Sequence, residues 1–193
     1  MVKLDKIYTK GGDRGETSLG DGKRVAKFSL RIHAQGDIDE TNAAIGLARL
    51  HASAPEFSAA DAILARVQND LFDLGADICR PGTEAADGSL RIRPAQVARL
   101  EAEIDAVNGD LQPLRSFVLR GGTQFGAALH FACTVCRRAE RWMCALAAEE
   151  RINDNALRYI NRLSDLLFVL ARAANDGGAS DVLWQPGQTA KDN

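Results

Sequence analysis

From residue 30 onward apolar positions recur three and four apart, the period of an amphipathic helix. Ile38, Ile45 and Leu50 mark a first helix over about residues 30–49. Ile63, Val67, Leu71, Leu74 and Ile78 form the stripe of a second over about 58–78, with Ser58 suited to the N-cap. Pro94 fits the first turn of a third, ending near Asn108-Gly109. A long fourth helix, about 123–150, carries Leu129, Ala132, Cys136, Ala139, Met143 and Leu146 inward. A fifth, about 153–175, buries Leu157, Ile160, Leu163, Leu167, Leu170 and Ala174 before Gly177-Gly178 ends it.

The remaining segments break these periods. Residues 80–93, with Pro81, Gly82 and Gly88, read as a loop, and Ser116-Phe117-Val118-Leu119 as a short apolar segment before Gly121-Gly122. Residues 5–30 are rich in glycine and charge, and read as an arm, ordered or not. The polar tail over 176–193 reads as frayed. No convincing strand alternation or internal repeat is found. The pattern predicts one all-α domain over 1–193, a five-helix bundle at 31–175 between an N-terminal arm and a tail.

Composition narrows the function. Hydrophobic residues make up 46% and charged residues 26%, with a formal net charge of -2. That argues against general nucleic-acid binding, so any phosphate site must be a local cluster of cations. No apolar run approaches the roughly 18–20 residues that span a bilayer. Residues 1–6 lack the apolar core of a signal peptide. Four cysteines without such a signal point to free thiols in a reducing cytoplasm.

Four segments could carry chemistry. Thr9-Lys10-Gly11-Gly12-Asp13-Arg14-Gly15-Glu16-Thr17-Ser18 combines flexible glycines with donors and could wrap a triphosphate, although it lacks the Walker A spacing. A solvated arm has the same composition. Arg137 and Arg141 share one helix face with Glu140 beside them, while Arg138 points about a quarter turn away. Guanidinium forks suit phosphate, but an exposed charged face has this sequence too. Asn161 and Asp165 share a face at i, i+4 and could hold a ribose, a metal or an arginine. Cys133 and Cys136 lack the further ligands zinc needs, since His33, His51 and His130 are scattered; small core residues fit better.

In order along nearly the whole chain, these pieces resemble the PduO-type ATP:cob(I)alamin adenosyltransferases. They are Tyr8-Thr9-Lys10 with Gly12-Asp13 and Gly15, then Gly36, Asp39-Glu40 and Asn42, then Leu71-Phe72-Asp73-Leu74-Gly75. Phe117 with Gly121-Gly122, Arg137 to Arg141, and Asn161 to Asp165 complete the series. The resemblance implies a homotrimer of five-helix bundles with active sites between subunits. It implies transfer of the 5′-deoxyadenosyl group of ATP to the Co(I) of a reduced corrinoid, cobalamin among them, with triphosphate released. Thr9, Lys10, Gly11, Gly12, Thr17, Ser18 and Lys27 would hold ATP, with Arg137, Arg138, Ala139, Glu140, Arg141 and Asn161 completing the nucleotide site. Arg137, Asp165 and Asp39 would serve catalysis, and Phe117 would face cobalt and displace its lower ligand. Mg²⁺ would travel on the ATP phosphates, with Glu140 a candidate protein ligand. An electron-donating reductase is the implied partner.

Two departures stand out. Cys133 occupies a position where this family usually has arginine, the implied intersubunit partner of Asp39, so weaker trimer contacts or impaired corrinoid binding are expected. Arg120 replaces a common proline and adds charge near Phe117. Glu16 places an acid in the phosphate loop, where it would repel triphosphate unless it points away or helps hold Mg²⁺. A regulatory bundle that binds ATP and corrinoid without turnover is the alternative, and a purely structural bundle a third.

Overall fold

The helices begin where the chain offers caps. Thr123 Oγ1 accepts from the Gly126 N–H at 3.0 Å, and Asn153 Oδ1 from the Asn155 N–H at 3.0 Å. Pro94 opens its helix, with Gln96 Oε1 accepting from the Arg93 N–H at 3.0 Å. The computed structural model describes residues 5, 7–83 and 88–190. Within them lie α1 (Leu30–Arg49), α2 (Ser58–Cys79), α3 (Pro94–Asn108), α4 (Gln124–Glu149) and α5 (Asp154–Ala173). The five-helix, all-α expectation therefore holds. The readings placed on residues 1–4, 6, 84–87 and 191–193 lie outside the described residues.

Helix α4 is the centre of the bundle, packed against α1 and α5, with α2 on α1 and α3 on α5. Its stripe of Leu129, Ala132, Cys136, Ala139, Met143 and Leu146 is buried throughout. The small members of that stripe let the neighbouring helices approach closely, while each buried Leu or Met stabilises by about 1.5–3 kcal/mol. Ile63 and Leu157 lie only at the core's edge. Leu50 is 73% exposed, because the helix ends at Arg49 and turns it outward. Ser58 is not a cap either: a 3-10 turn, Pro55–Phe57, runs directly into α2 and makes Phe57 the flanking residue.

Two further expectations need correction. The arm contains a hairpin, β1 (Glu16–Ser18) paired antiparallel with β2 (Arg24–Ala26). Gly22 at φ 85° makes the turn, and the Gly20 N–H donates to the Cys79 carbonyl at 3.0 Å, tying the hairpin to the end of α2. The tail is also docked rather than frayed. Val118 and Leu183 form an antiparallel bridge, flanked by Leu119 N–H to Val182 O at 2.8 Å and Trp184 N–H to Phe117 O at 2.7 Å. Behind it Arg172 Nε donates to Asp181 Oδ2 at 2.8 Å, both side chains nearly fully buried.

Candidate functional site

The arginines of α4 meet different fates. Arg137 stays half-exposed, its Nη2 4.0 Å from Asp165 Oδ1 on α5. Arg141 is exposed and donates to the Arg137 carbonyl at 3.1 Å. Arg138 is turned toward α1, where its Nε donates to Asp37 Oδ2 at 3.0 Å and its Nη2 to Glu40. Two carboxylates therefore already neutralise Arg138. Ala139 is fully buried, so its side chain packs in the core beneath the face and does not reach a ligand. Glu140 Oε1 accepts from Asn161 Nδ2 at 2.8 Å, and Asn161 Oδ1 from Arg162 Nη1 at 2.6 Å. The i, i+4 spacing read from the sequence thus places Asp165 and Asn161 one turn apart, facing Arg137 and Glu140 respectively.

The arm forms a second cluster. Arg24, which sequence reasoning missed, braces it: Nη2 donates to the Gly11 carbonyl at 2.7 Å and Nη1 to Ser18 Oγ at 3.2 Å. The same guanidinium stands 3.7 Å from Glu16, which answers the acid that would otherwise repel a triphosphate. Lys27 folds over Gly12, where a Cβ would come within 2.9 Å of Nζ. Only glycine lets ammonium and backbone approach this closely. Lys10 adopts φ 59°, a left-handed conformation suited to a sharp loop. Thr17 and Lys27 line an open cleft against α1 with Ile32, Gln35, Gly36 and Asp39. Burial raises the Asp39 carboxyl above its ordinary value, and among the described residues nothing hydrogen-bonds or ion-pairs with it. Nor does any such contact join Thr9–Lys27 to Arg137–Arg141 or Asn161 among the described residues. Each cluster is open to solvent.

Phe117 is 78% exposed, which rules out a core role; its ring leans on Trp184 at 6.0 Å between centroids. Trp184 was missed because its pairing partner lies over sixty residues away. Near Phe117, Arg120 Nη1 stands 3.3 Å from His130 Nδ1, and its guanidinium lies over the Phe168 ring at 5.5 Å. Cys133 is fully buried, its thiol donating to the Ser164 carbonyl at 3.2 Å, and Cys136 does likewise to Ile160 at 3.4 Å. Burial pushes both thiols up, so they are protonated small core residues. Among the described residues no three His, Cys, Asp or Glu side chains gather to hold a metal, and no helix is long and apolar enough to cross a membrane.

Residues 7–174 match the family model for cobalamin adenosyltransferase. The chain is 49% identical over 189 residues to the corrinoid adenosyltransferase of Mycobacterium tuberculosis, covering 96% of both chains. It is 48% identical over 184 residues to the cobalamin adenosyltransferase of Cupriavidus metallidurans, covering 95% of this chain and 96% of that one. Its fold matches a variant PduO-type ATP:corrinoid adenosyltransferase from Lactobacillus reuteri, solved with cobalamin and ATP. The TM-score is 0.85 at 36% identity, over 94% of this chain and 97% of that one.

Proposed function

The chain belongs to the cobalamin adenosyltransferase family, as a PduO-type ATP:corrinoid adenosyltransferase, and from that premise we propose how its residues divide the work. It transfers the 5′-deoxyadenosyl group of ATP to the Co(I) of a reduced corrinoid. Cobalt's electron pair forms the Co–C5′ bond while the C5′–O bond breaks, and that pair leaves with triphosphate. The nucleophile belongs to the substrate, so the protein's part is to position both substrates and stabilise the departing charge.

The observation that supports the division of labour is the separation, within one chain, of two open polar clusters. The arm's donors at Thr9 to Gly12, Thr17, Ser18 and Lys27 hold ATP from one subunit, and Arg137, Arg141, Glu140 and Asn161 from the next complete the site. The working unit is then an oligomer with sites between subunits, which we take to be the homotrimer that the family resemblance implies. Arg137, oriented by Asp165, answers the triphosphate charge directly. Arg138, held by Asp37 and Glu40, fixes α1 to α4 and so positions its neighbours. Phe117 offers its exposed ring to the lower face of the corrinoid.

Magnesium fits this site only as a guest of the nucleotide. Mg²⁺ commonly takes one or two protein carboxylates and substrate phosphates, which agrees with the lack of a protein cluster among the described residues. Glu140, already engaged by Asn161, is the acid nearest that role. Bound there, Mg²⁺ would add positive charge against the leaving triphosphate. A reductase supplying Co(I) is the expected partner, and the four free cysteines agree with a reducing cytoplasm.

The test is an anaerobic assay with ATP and chemically reduced cobalamin. A light-sensitive Co–C product is expected; binding of both substrates without product would favour a regulator instead. The same assay addresses Cys133. Asp39, without a cation among the described residues of its own chain, awaits one across the subunit interface. Cys133→Arg is expected to raise turnover and the trimer fraction by mass photometry, and no change in either would sink that pairing.

A further inference from the structure

We infer that Arg120 is a corrinoid-binding residue of this enzyme, held by His130 and Phe168 so that its remaining N–H groups meet an oxygen acceptor on the corrinoid. The inference rests on Phe117 facing the corrinoid. Arg120 follows Phe117 by three residues, and the backbone between them is fixed by the Leu119–Val182 bond. On its other side the Gly121 carbonyl accepts from Asn175 Nδ2 at 3.1 Å. The guanidinium itself is pinned twice, at 3.3 Å from His130 Nδ1 and 5.5 Å over the Phe168 ring. Among the described residues no carboxylate pairs with it, yet its side chain is fixed in place.

His130 shows that this placement is bought at a cost to the fold. Its ring is fully buried, and accepting from Arg120 at Nδ1 leaves the proton on Nε2, which has no hydrogen-bond partner among the described residues. A buried donor left unsatisfied works against the fold. The result is an exposed aromatic ring and, three residues on, a fixed guanidinium with no carboxylate partner among the described residues. That combination suits a ligand with a broad apolar face and acceptor oxygens around it. A corrinoid has both, in its ring amide side chains and in the phosphodiester of its lower nucleotide.

Steady-state kinetics with cob(I)alamin and with cob(I)inamide, which lacks the lower nucleotide, test this. Arg120→Met is expected to raise the corrinoid KM about tenfold, the scale of one lost charge-assisted hydrogen bond, with the ATP KM within about twofold of the parent. Arg120→Lys should fall between, and serves if the methionine variant folds poorly. His130→Phe should shift the corrinoid KM in the same direction, while His130→Gln, which keeps an acceptor for Arg120, should restore most of it. A rise seen equally with cob(I)inamide places the acceptor on the ring side chains, and a rise lost with it places the acceptor on the phosphodiester. An unchanged corrinoid KM in Arg120→Met and Arg120→Lys, or an equal rise in the ATP KM, overturns the inference. A parent enzyme that makes no adenosylated product would instead overturn the functional reading beneath it.

Discussion

The two ends of the chain both look peripheral in sequence, and the structure treats them oppositely. The arm over residues 7–29 meets the bundle through the Gly20–Cys79 bond and the side of α1, and leaves Thr17 and Lys27 facing an open cleft. The tail over 176–190 is locked by the Val118–Leu183 bridge with its two backbone bonds, a buried ion pair and the Asn175 side chain, which bonds to Thr123, Gly121 and Asp181. The difference agrees with the work proposed for each. Donors that are to wrap a nucleotide must open to admit it, which suits a weakly held segment. A ring that is to press on a corrinoid must not yield, which suits a segment buttressed by the tail as that of Phe117 is.

Breaking the buttress should produce the largest change. In Asp181→Ala, Arg172 keeps only the Gln112 carbonyl at 2.9 Å, and its buried guanidinium loses its counter-charge. Stability is expected to fall by about 3–5 kcal/mol, read from the urea midpoint, with the tail released to proteolysis. A loss under about 1 kcal/mol would mean the tail is merely resting on the bundle.

The arm should show the reverse. Lys27→Ala removes a group whose fold contacts are few, so stability should move by no more than about 0.5 kcal/mol. Turnover with ATP should nevertheless drop by about a hundredfold, the scale of one lost contact to developing charge. Equal losses in stability and activity would erase the distinction between the two ends.

That distinction was only half legible in the sequence. Helix α4 was readable because its burial stripe repeats from Phe125 to Leu146, about six turns, and Thr123 caps it, both local signals. The tight loop of the arm was readable from Lys10, Gly11 and Gly12, since the flexibility of such a run is local too. The tail was not readable. Its anchoring depends on Val118 meeting Leu183 and Arg172 meeting Asp181, and a bridge of one residue pair leaves no periodicity. The hairpin at Glu16–Ser18 escaped for the same reason, since three-residue strands are too short to alternate. The fate of Arg138 was hidden as well, because Asp37 and Glu40 reach it only once α1 packs on α4.

A milder cut at the tail separates backbone from ring. Trp184→Ala leaves the Trp184 N–H on the Phe117 carbonyl at 2.7 Å but removes the ring leaning on Phe117. Such a pair contributes about 0.5–1.5 kcal/mol beyond its buried area, so stability should fall far less than in Asp181→Ala. The corrinoid KM should rise while the ATP KM holds. A rise in the ATP KM instead would place Trp184 on the nucleotide side.

The smallest expected effect lies where tail and site meet, at His130. Burial lowers its pKa first, the Arg120 guanidinium lowers it further, and Asp181 of the tail pulls the other way. A histidine whose pKa is lower folded than unfolded binds fewer protons in the native state. Its contribution is therefore complete above the ordinary value of 6.5 and is lost as pH falls from there toward the folded pKa. Melting curves from pH 7.5 down to 5 should show a fall in Tm that is shallower in His130→Phe, which has nothing to protonate. Arg120→Met should remove only the lesser cause, leaving most of the fall in place, because desolvation is the larger one. If Arg120→Met flattened the profile as fully as His130→Phe, the guanidinium rather than burial would dominate. The arm offers no counterpart to this titration, since residues 7–29 contain no histidine.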